Sequence, residues 1–268
     1  MPSKKVSGTK EWAASNENVS VGCSNRCKYC YAHAMAARFG RVPEGGWGNM
    51  QERPGIWEKG YGKRKGRIMF PTTHDIVPAN RDLCIHALQG MLRAGNEVLV
   101  VSKPQPEAIL WLIEDLKPWR DQILFRFTIG SGDDRTLSFW EPGAPTFTQR
   151  LAALERAHNA GFATSVSMEP LLEMDEEATV NLVRLLAFTV TDAIWIGKAN
   201  RLYERLMKNG HWEKPGVRQA ARDLMDSQSD ERIRSLYERL RTSKKVRWKE
   251  SIKKVVGLDV PTLPGLDI

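Results

Sequence analysis

The chain has 268 residues, 41% of them hydrophobic and 27% charged, with a formal net charge of +8. That composition excludes a disordered chain and suits one large α/β domain or two small ones, and no apolar run reaches the roughly 20 residues that span a bilayer. Four cysteines, three of them clustered and Cys84 far away, exclude a disulfide framework; the opening MPSKKVSGTKEW lacks an apolar secretory stretch, so a cytoplasmic, monomeric enzyme is expected.

In chain order, residues 1–17 read as an N-terminal tail. Compact runs rich in Val, Ile, Phe or Trp then predict strands at 18–22 (NVSVG), 67–72 (RIMFPT), 97–103 (EVLVVSK), 123–129 (ILFRFTI), 162–168 (FATSVSM) and 193–198 (AIWIGK). Each is apolar enough to be covered on both faces. Between them, helical spacing predicts helices over 79–95, 106–119, 146–161 and 174–188, with Pro106 near one start, Gly95 and Gly161 as stops, and acids in the first turn of the last. Segments 40–66 and 130–146 read as long loops. Strand–helix alternation of this kind predicts parallel βαβ units, with the site at the strand C-terminal ends. From Arg201 the pattern becomes helix after helix and predicts a cap over 201–268. Its excess of Lys and Arg either faces solvent or attracts phosphate-bearing partners.

Cys23, Cys27 and Cys30 lie in one short loop, CSNRCKYC. Thiolates bind soft metals, so two readings stand: a [4Fe–4S] cluster with one iron left open, or a zinc knuckle completed by His33. The second would make the chain a zinc-stabilised nucleic-acid-binding protein without enzymatic activity. Cys84, among apolar helix positions, reads as a buried inert thiol.

The CxxxCxxC loop, with Tyr29 beside its last cysteine and six alternating units around it, resembles the signature of the radical S-adenosylmethionine (radical SAM) superfamily over about residues 18–200. The resemblance implies a partial (β/α)6 TIM-type barrel, a [4Fe–4S] cluster on the three cysteines, and SAM bound at its open iron beside Tyr29. It further implies reductive cleavage to a 5′-deoxyadenosyl radical that abstracts hydrogen from substrate, with a flavodoxin or ferredoxin as reductant. Within the superfamily the chain looks nearest to the spore photoproduct lyase-like branch and a related phage-associated family. TTHDIVPAN (72–80) resembles the lyase pattern Cys-Thr-Ser-Asp-Ile-Val, and the lyase's hydrogen-returning cysteine falls at Thr72. A threonine O–H bond is too strong to serve as that donor, which puts lyase activity in doubt.

Thr73, His74 and Asp75 are candidates for the site mouth, and Ser102 and Lys103 end the third predicted strand where related families keep a lysine near SAM. Thr128 and Ser131 are suited to ribose or carboxylate. Glu169, in SVSMEPLLE, resembles the SxEPLL run of the phage-associated family and is placed to bind a substrate or ribose hydroxyl. Lys198 and Asn200 are expected at the barrel rim; Trp248 and Lys249 fit an amphipathic cap helix equally well. A nucleic-acid base or nucleotide is the first expectation for substrate, with a small molecule or peptide as the alternative.

Overall fold

The computed structural model describes residues 6–265. In chain order its strands are β1 (Ser15–Asn16), β2 (Ser20–Val21), β3 (Gln51–Glu52), β4 (Ile68–Phe70), β5 (Val98–Ser102), β6 (Ile123–Thr128), β7 (Ala163–Met168), β8 (Ile194–Ile196) and β9 (Val246–Trp248). Seven of them form one parallel sheet in the order β1-β4-β5-β6-β7-β8-β9, while β2 and β3 pair antiparallel beside it. The helices are α1 (Tyr31–Arg38), α2 (Arg81–Arg93), α3 (Pro106–Leu116), α4 (Asp134–Trp140), α5 (Phe147–Asn159), α6 (Glu176–Leu186), α7 (Leu202–Lys208), α8 (Val217–Asp226), α9 (Asp230–Leu240) and α10 (Glu250–Val256).

The strands are apolar on both faces because both are covered. Phe70, Val100, Phe125, Phe127, Val166 and Ile196 point outward into a core shared with Leu88 and Met91 of α2 and Ile109 and Leu112 of α3. Met69, Leu99, Leu124 and Trp195 point inward and enclose Trp12. Local signals fix the helix starts. Thr146 and Gln149 form a reciprocal cap on α5, and Asp175 accepts the amide of Ala178 at the start of α6.

The α/β partial barrel is as expected, with three differences in placement. The first sheet strand is Ser15–Asn16, while Ser20–Val21, within the expected strand 18–22, pairs with β3 instead. The sheet strand is polar because its edge meets charge: Glu17 binds Lys59 at 2.7 Å and Arg64 at 2.8 Å. A seventh strand, β9, lies inside the basic stretch read as cap and pairs with β8. Segment 130–146 holds α4 rather than loop alone.

Between the outer strands β1 and β9, residues 6–12 cross the open side of the sheet. They are tied to the last described segment by Val6 N–H to Pro261 C=O (3.1 Å) and Gly265 N–H to Lys10 C=O (2.8 Å). Glu11 accepts the Glu250 amide at 2.9 Å, joining the crossing segment to α10.

Candidate metal and cofactor site

A cavity of about 700 Å³ opens at the C-terminal ends of the parallel strands and is lined by Cys23, Cys27, Cys30, Thr73, Asp75, Lys103, Thr128 and Glu169. Segment 6–10, Thr262 and Pro264 line its remaining side. This is the end of a parallel sheet where side chains from several strands converge.

The cysteine loop is shaped by close backbone approach. Gly22 sits at φ +91°, and a Cβ there would meet Asn49 O at 2.8 Å and Trp47 O at 2.9 Å. The Cys23 amide uses that proximity to donate to Trp47 O at 2.8 Å. On the opposite side, Gly143 N–H donates to Asn25 O, and a Cβ on Gly143 would lie 2.2 Å from Ser24 O. Only glycine lets the α4–α5 connection press on the loop. Cys30 caps α1, its Sγ accepting the His33 amide at 3.4 Å.

All three thiols are unpaired. Burial pushes each upward as a free acid, Cys23 to about 12, with Asp75 and the neighbouring Cys30 adding to the effect. Three thiols in one wall, each disfavoured as a bare anion, fit a soft metal core that supplies the missing positive charge. They do not fit the zinc knuckle. Among the described residues no three His, Cys, Asp or Glu side chains converge to hold a single ion, and the His33 ring stacks on Trp47 at 5.1 Å. A cluster needs no such convergence, because each thiolate binds its own iron.

Behind the cysteines lies a buried charge network. Glu141, 1% exposed, accepts from the Tyr29 hydroxyl, pairs with Arg150 at 2.5 Å and sits 3.7 Å from the Lys103 ammonium. Burial alone would raise the Glu141 carboxyl, but Lys103 and Arg150 overcome it and hold the group below its ordinary value. Burial likewise works against the Lys103 ammonium, yet Cys27, Glu141 and Asp75 together raise its pKa. Lys103 is therefore a fixed positive charge beside Cys27. Sequence reasoning missed Glu141 and Arg150, whose charges look like solvated ones in FWEPG and TQRLA.

Asp75 is a knot rather than an exposed carboxylate. Its oxygens accept from the Ile76 amide (2.8 Å), Asn25 Nδ2 (2.6 Å), the Lys103 amide (2.9 Å) and the Ser102 hydroxyl. Asp75 and Ser102 thus tie the ends of β4 and β5 to the cysteine loop. His74 also has both ring nitrogens engaged, Nε2 accepting the Val19 amide at 3.1 Å and Nδ1 donating to Asp75 O at 3.0 Å. Burial lowers its pKa to about 4, so it stays neutral. Asn18 Oδ1 accepts the Thr72 and Thr73 amides at 2.7 and 2.8 Å, and Asn18 Nδ2 donates to the Thr72 hydroxyl at 2.8 Å. The Thr73 hydroxyl is buried in the cavity wall without a protein partner.

Glu169 faces the cavity and is paired with Lys249 at 3.3 Å. Lys249 is 1% exposed, also binds Glu11 at 3.0 Å and Gly8 O at 3.1 Å, and lies 3.7 Å from the Trp12 ring. Its side chain turns into the barrel rather than lying along a cap helix. The readable signal was a repeated one: β5, β8 and β9 are each followed closely by a lysine, Lys103, Lys198 and Lys249. Lys198, Asn200 and the half-buried Arg205 line the cavity, as does Thr128. Ser131 is outside it, donating to Glu173 at 2.7 Å. Lys244, Lys245 and Arg247 lie at the start and middle of β9, towards the opposite end of the sheet from the cavity, and Lys245 donates to Ala187 O and Val190 O.

No family model matches the chain. It is 24% identical over 261 residues to the uncharacterized protein ORF301 of Acidianus two-tailed virus, covering 87% of this chain and 80% of that protein. Its fold is similar to that of a spore photoproduct lyase mutant with bound AdoMet and dinucleoside spore photoproduct, with a TM-score of 0.56 and 16% identity over 92% of this chain and 79% of the other. Streptococcus suis SuiB bound to S-adenosylmethionine gives a TM-score of 0.54 and 10% identity over 94% of this chain and 54% of the other. The resemblance read from the cysteine motif holds at the level of architecture: the chain has the TIM-type partial barrel of these radical SAM enzymes.

Proposed function

We propose that the chain is a radical SAM enzyme in which Cys23, Cys27 and Cys30 hold a [4Fe–4S] cluster and the adjoining cavity takes S-adenosylmethionine and substrate. The observation that carries the reading is the meeting of three unpaired thiols of a CxxxCxxC loop with Lys103, Thr73 and Glu169 in one cavity of about 700 Å³ at the strand C-terminal ends. When bound, the cluster supplies the electron for cleavage of SAM to a 5′-deoxyadenosyl radical, the species that takes hydrogen from substrate.

The protein's own part is placement and shielding. Lys103, held by Glu141, keeps positive charge against Cys27 and offers it to anionic groups in the cavity. Asp75 and Ser102 position the cysteine loop and are not available as acid or base. His74, neutral and doubly engaged, holds the end of β4. Thr73 has a spare hydroxyl for a polar cofactor or substrate atom, and Glu169 is a cavity carboxylate held by a buried ammonium. Thr72 stands where the lyase pattern has its thiol, so direct hydrogen return from that position is not assigned.

For substrate, a nucleic-acid base or nucleotide is supported by the likeness to a lyase that binds a dinucleoside photoproduct. A peptide is the second reading, favoured by the likeness to SuiB bound to its precursor peptide SuiA. Anaerobic purification tests the central claim. The protein should be brown, absorb near roughly 400 nm as iron–sulfur proteins do, and release 5′-deoxyadenosine from SAM with dithionite. Cys23→Ala, Cys27→Ala or Cys30→Ala should abolish colour and cleavage, and Cys84→Ala should preserve both. A colourless protein with stoichiometric zinc, or a cluster that neither binds nor cleaves SAM, defeats the proposal.

A further inference from the structure

The face outside the cysteine loop is built from α1 and α7, which pack together, with Asn209 at the end of α7 donating to Lys28 O and Cys30 O, both at 2.9 Å. Its composition is lopsided. From Asn18 to Pro43 the chain carries Arg26, Lys28, Arg38 and Arg41 and neither Asp nor Glu. Arg38 and Arg41 both stand over the Phe39 ring, at 5.5 and 5.4 Å. Apolar side chains are left in water on the same two helices: Met35 at 52%, Phe39 at 55% and Met207 at 55% exposure.

The turn after α7 adds more positive charge. His211 is lowered to about 4 by burial, then by Lys214, Lys28 and His33. Burial and the same Lys214 lower Lys28. Cationic groups are thus gathered where they repel one another, within a few residues of Cys27 and Cys30. Such crowding costs stability in the isolated chain and is offset when an anionic surface arrives. Exposed Met and Phe rimmed by Arg are what the centre of a protein interface uses.

We propose that this α1–α7 face is the docking surface for a small acidic one-electron carrier protein, which delivers the reducing electron next to Cys30. The proposal rests on the radical SAM reading and names the partner surface of that site. The step is balanced by one electron: the carrier is oxidised by one, the cluster is reduced by one, and no proton or group is transferred. The cavity opens on the barrel side of the cysteine loop and this face lies on the other, so carrier and substrate need not compete.

The test uses flavodoxin as probe and the full chain carrying Arg38→Glu, Arg41→Glu and Lys214→Glu together, all exposed positions outside the cavity. In stopped-flow measurements, reduction of the cluster by flavodoxin should slow at least about tenfold at low salt and lose most of its ionic-strength dependence. Reduction by dithionite should be unchanged. Isothermal titration of oxidised flavodoxin into protein without cluster should show binding to the native face and none to the triple variant. Equal flavodoxin rates in both proteins, or binding unaffected by charge reversal, overturn the surface assignment. Loss of DNA or RNA binding in the triple variant, with flavodoxin binding intact, also overturns it and makes the face a nucleic-acid surface. Failure of the chain to take up iron strikes the radical SAM reading instead, and the titration without cluster still decides the surface.

Discussion

The two walls of the cavity are built on opposite principles. The cysteine-loop wall is tied at almost every polar atom: Asp75 accepts four bonds, Asn18 clamps the Thr72 and Thr73 amides, and Glu141 gathers Tyr29, Lys103 and Arg150. The facing wall, segment 6–10 with Thr262 and Pro264, is held by two backbone bonds between its halves and by one buried latch, Glu11–Lys249–Glu169. A wall that holds a cofactor must not move relative to its ligands, and many coupled buried bonds secure that. A wall that admits a substrate needs few bonds and a contact it can sense through, and Glu169 belongs to both the latch and the cavity.

If the first wall is rigid because of its buried charges, neutralising one should have the largest effect in the molecule. Glu141→Gln keeps the shape and a hydrogen-bond acceptor for Tyr29 but leaves Arg150 and Lys103 buried without a counter-charge. A loss of about 3–5 kcal/mol is expected from breaking such a network. Chemical denaturation should show it as a lower midpoint with unchanged slope, accompanied by lower iron occupancy. A variant as stable as the native chain, with full iron, would mean that the network is a bystander.

This division was only half visible in the amino-acid order. The middle strands β5, β6 and β7 were readable because they are buried on both faces, so VLVV, ILFRF and TSVSM carry continuous apolar signal. The cysteines were readable because thiol spacing is itself chemistry. β1 was not, since Ser15 and Asn16 bury no apolar side chain at their edge, and β9 was hidden because three residues in a basic stretch give no period. The latch was beyond sequence reading altogether: Glu11 and Lys249 stand at opposite ends of the chain, and each in isolation looks like a solvated charge. Arg126 is an intermediate case. A lone arginine inside ILFRF advertises burial, and it lies between Trp12 and Trp195 at 4.6 and 5.2 Å, but nothing local names those partners.

The latch and the rigid wall should also separate by pH. His74, on the rigid wall, is held near 4 against an ordinary 6.5, so the unfolded chain takes a proton that the native one refuses. Its stabilisation is present above pH 6.5 and is lost as pH falls towards 4, about 3 kcal/mol in all. Glu11, in the latch, runs the other way. Burial raises it from 4.5 to about 7, ahead of the lowering effect of Lys249, so its contribution is full below pH 4.5 and is lost as pH rises to 7. The two slopes oppose each other between pH 4.5 and 6.5 in the native chain. Glu11→Gln removes one of them and should unmask a steeper rise of stability with pH. The difference between native and variant stability should fall by about 3 kcal/mol from pH 4.5 to 7, measured by urea titration at each pH. A difference that stays flat would mean that Glu11 does not titrate in the folded protein and that the latch is a permanent ion pair.

The smallest effect concerns two neighbouring lysines at the far end of the sheet, where neither cavity wall is involved. Lys244 is exposed, whereas Lys245 turns inward and donates to Ala187 O and Val190 O, closing the turn that precedes β8. Sequence reading treats them as one basic run with Arg247, fit to grip phosphate over the active site. The parallel direction of β9 puts that run towards the strand N-terminal ends, so it cannot serve as a lid over a cavity at the C-terminal ends. Lys244→Ala should change stability by no more than about 0.5 kcal/mol, as surface substitutions do. Lys245→Ala should cost about 1–2 kcal/mol by leaving carbonyls without their charged donor. Neither should alter SAM affinity, and neither should change the salt dependence of reduction by flavodoxin, which belongs to Arg38, Arg41 and Lys214. If Lys244→Ala weakens binding of a nucleotide substrate while Lys245→Ala does not, the basic run reaches the substrate after all. The contrast between a cofactor wall and an entry wall would then need a third surface, on the side of the sheet away from both.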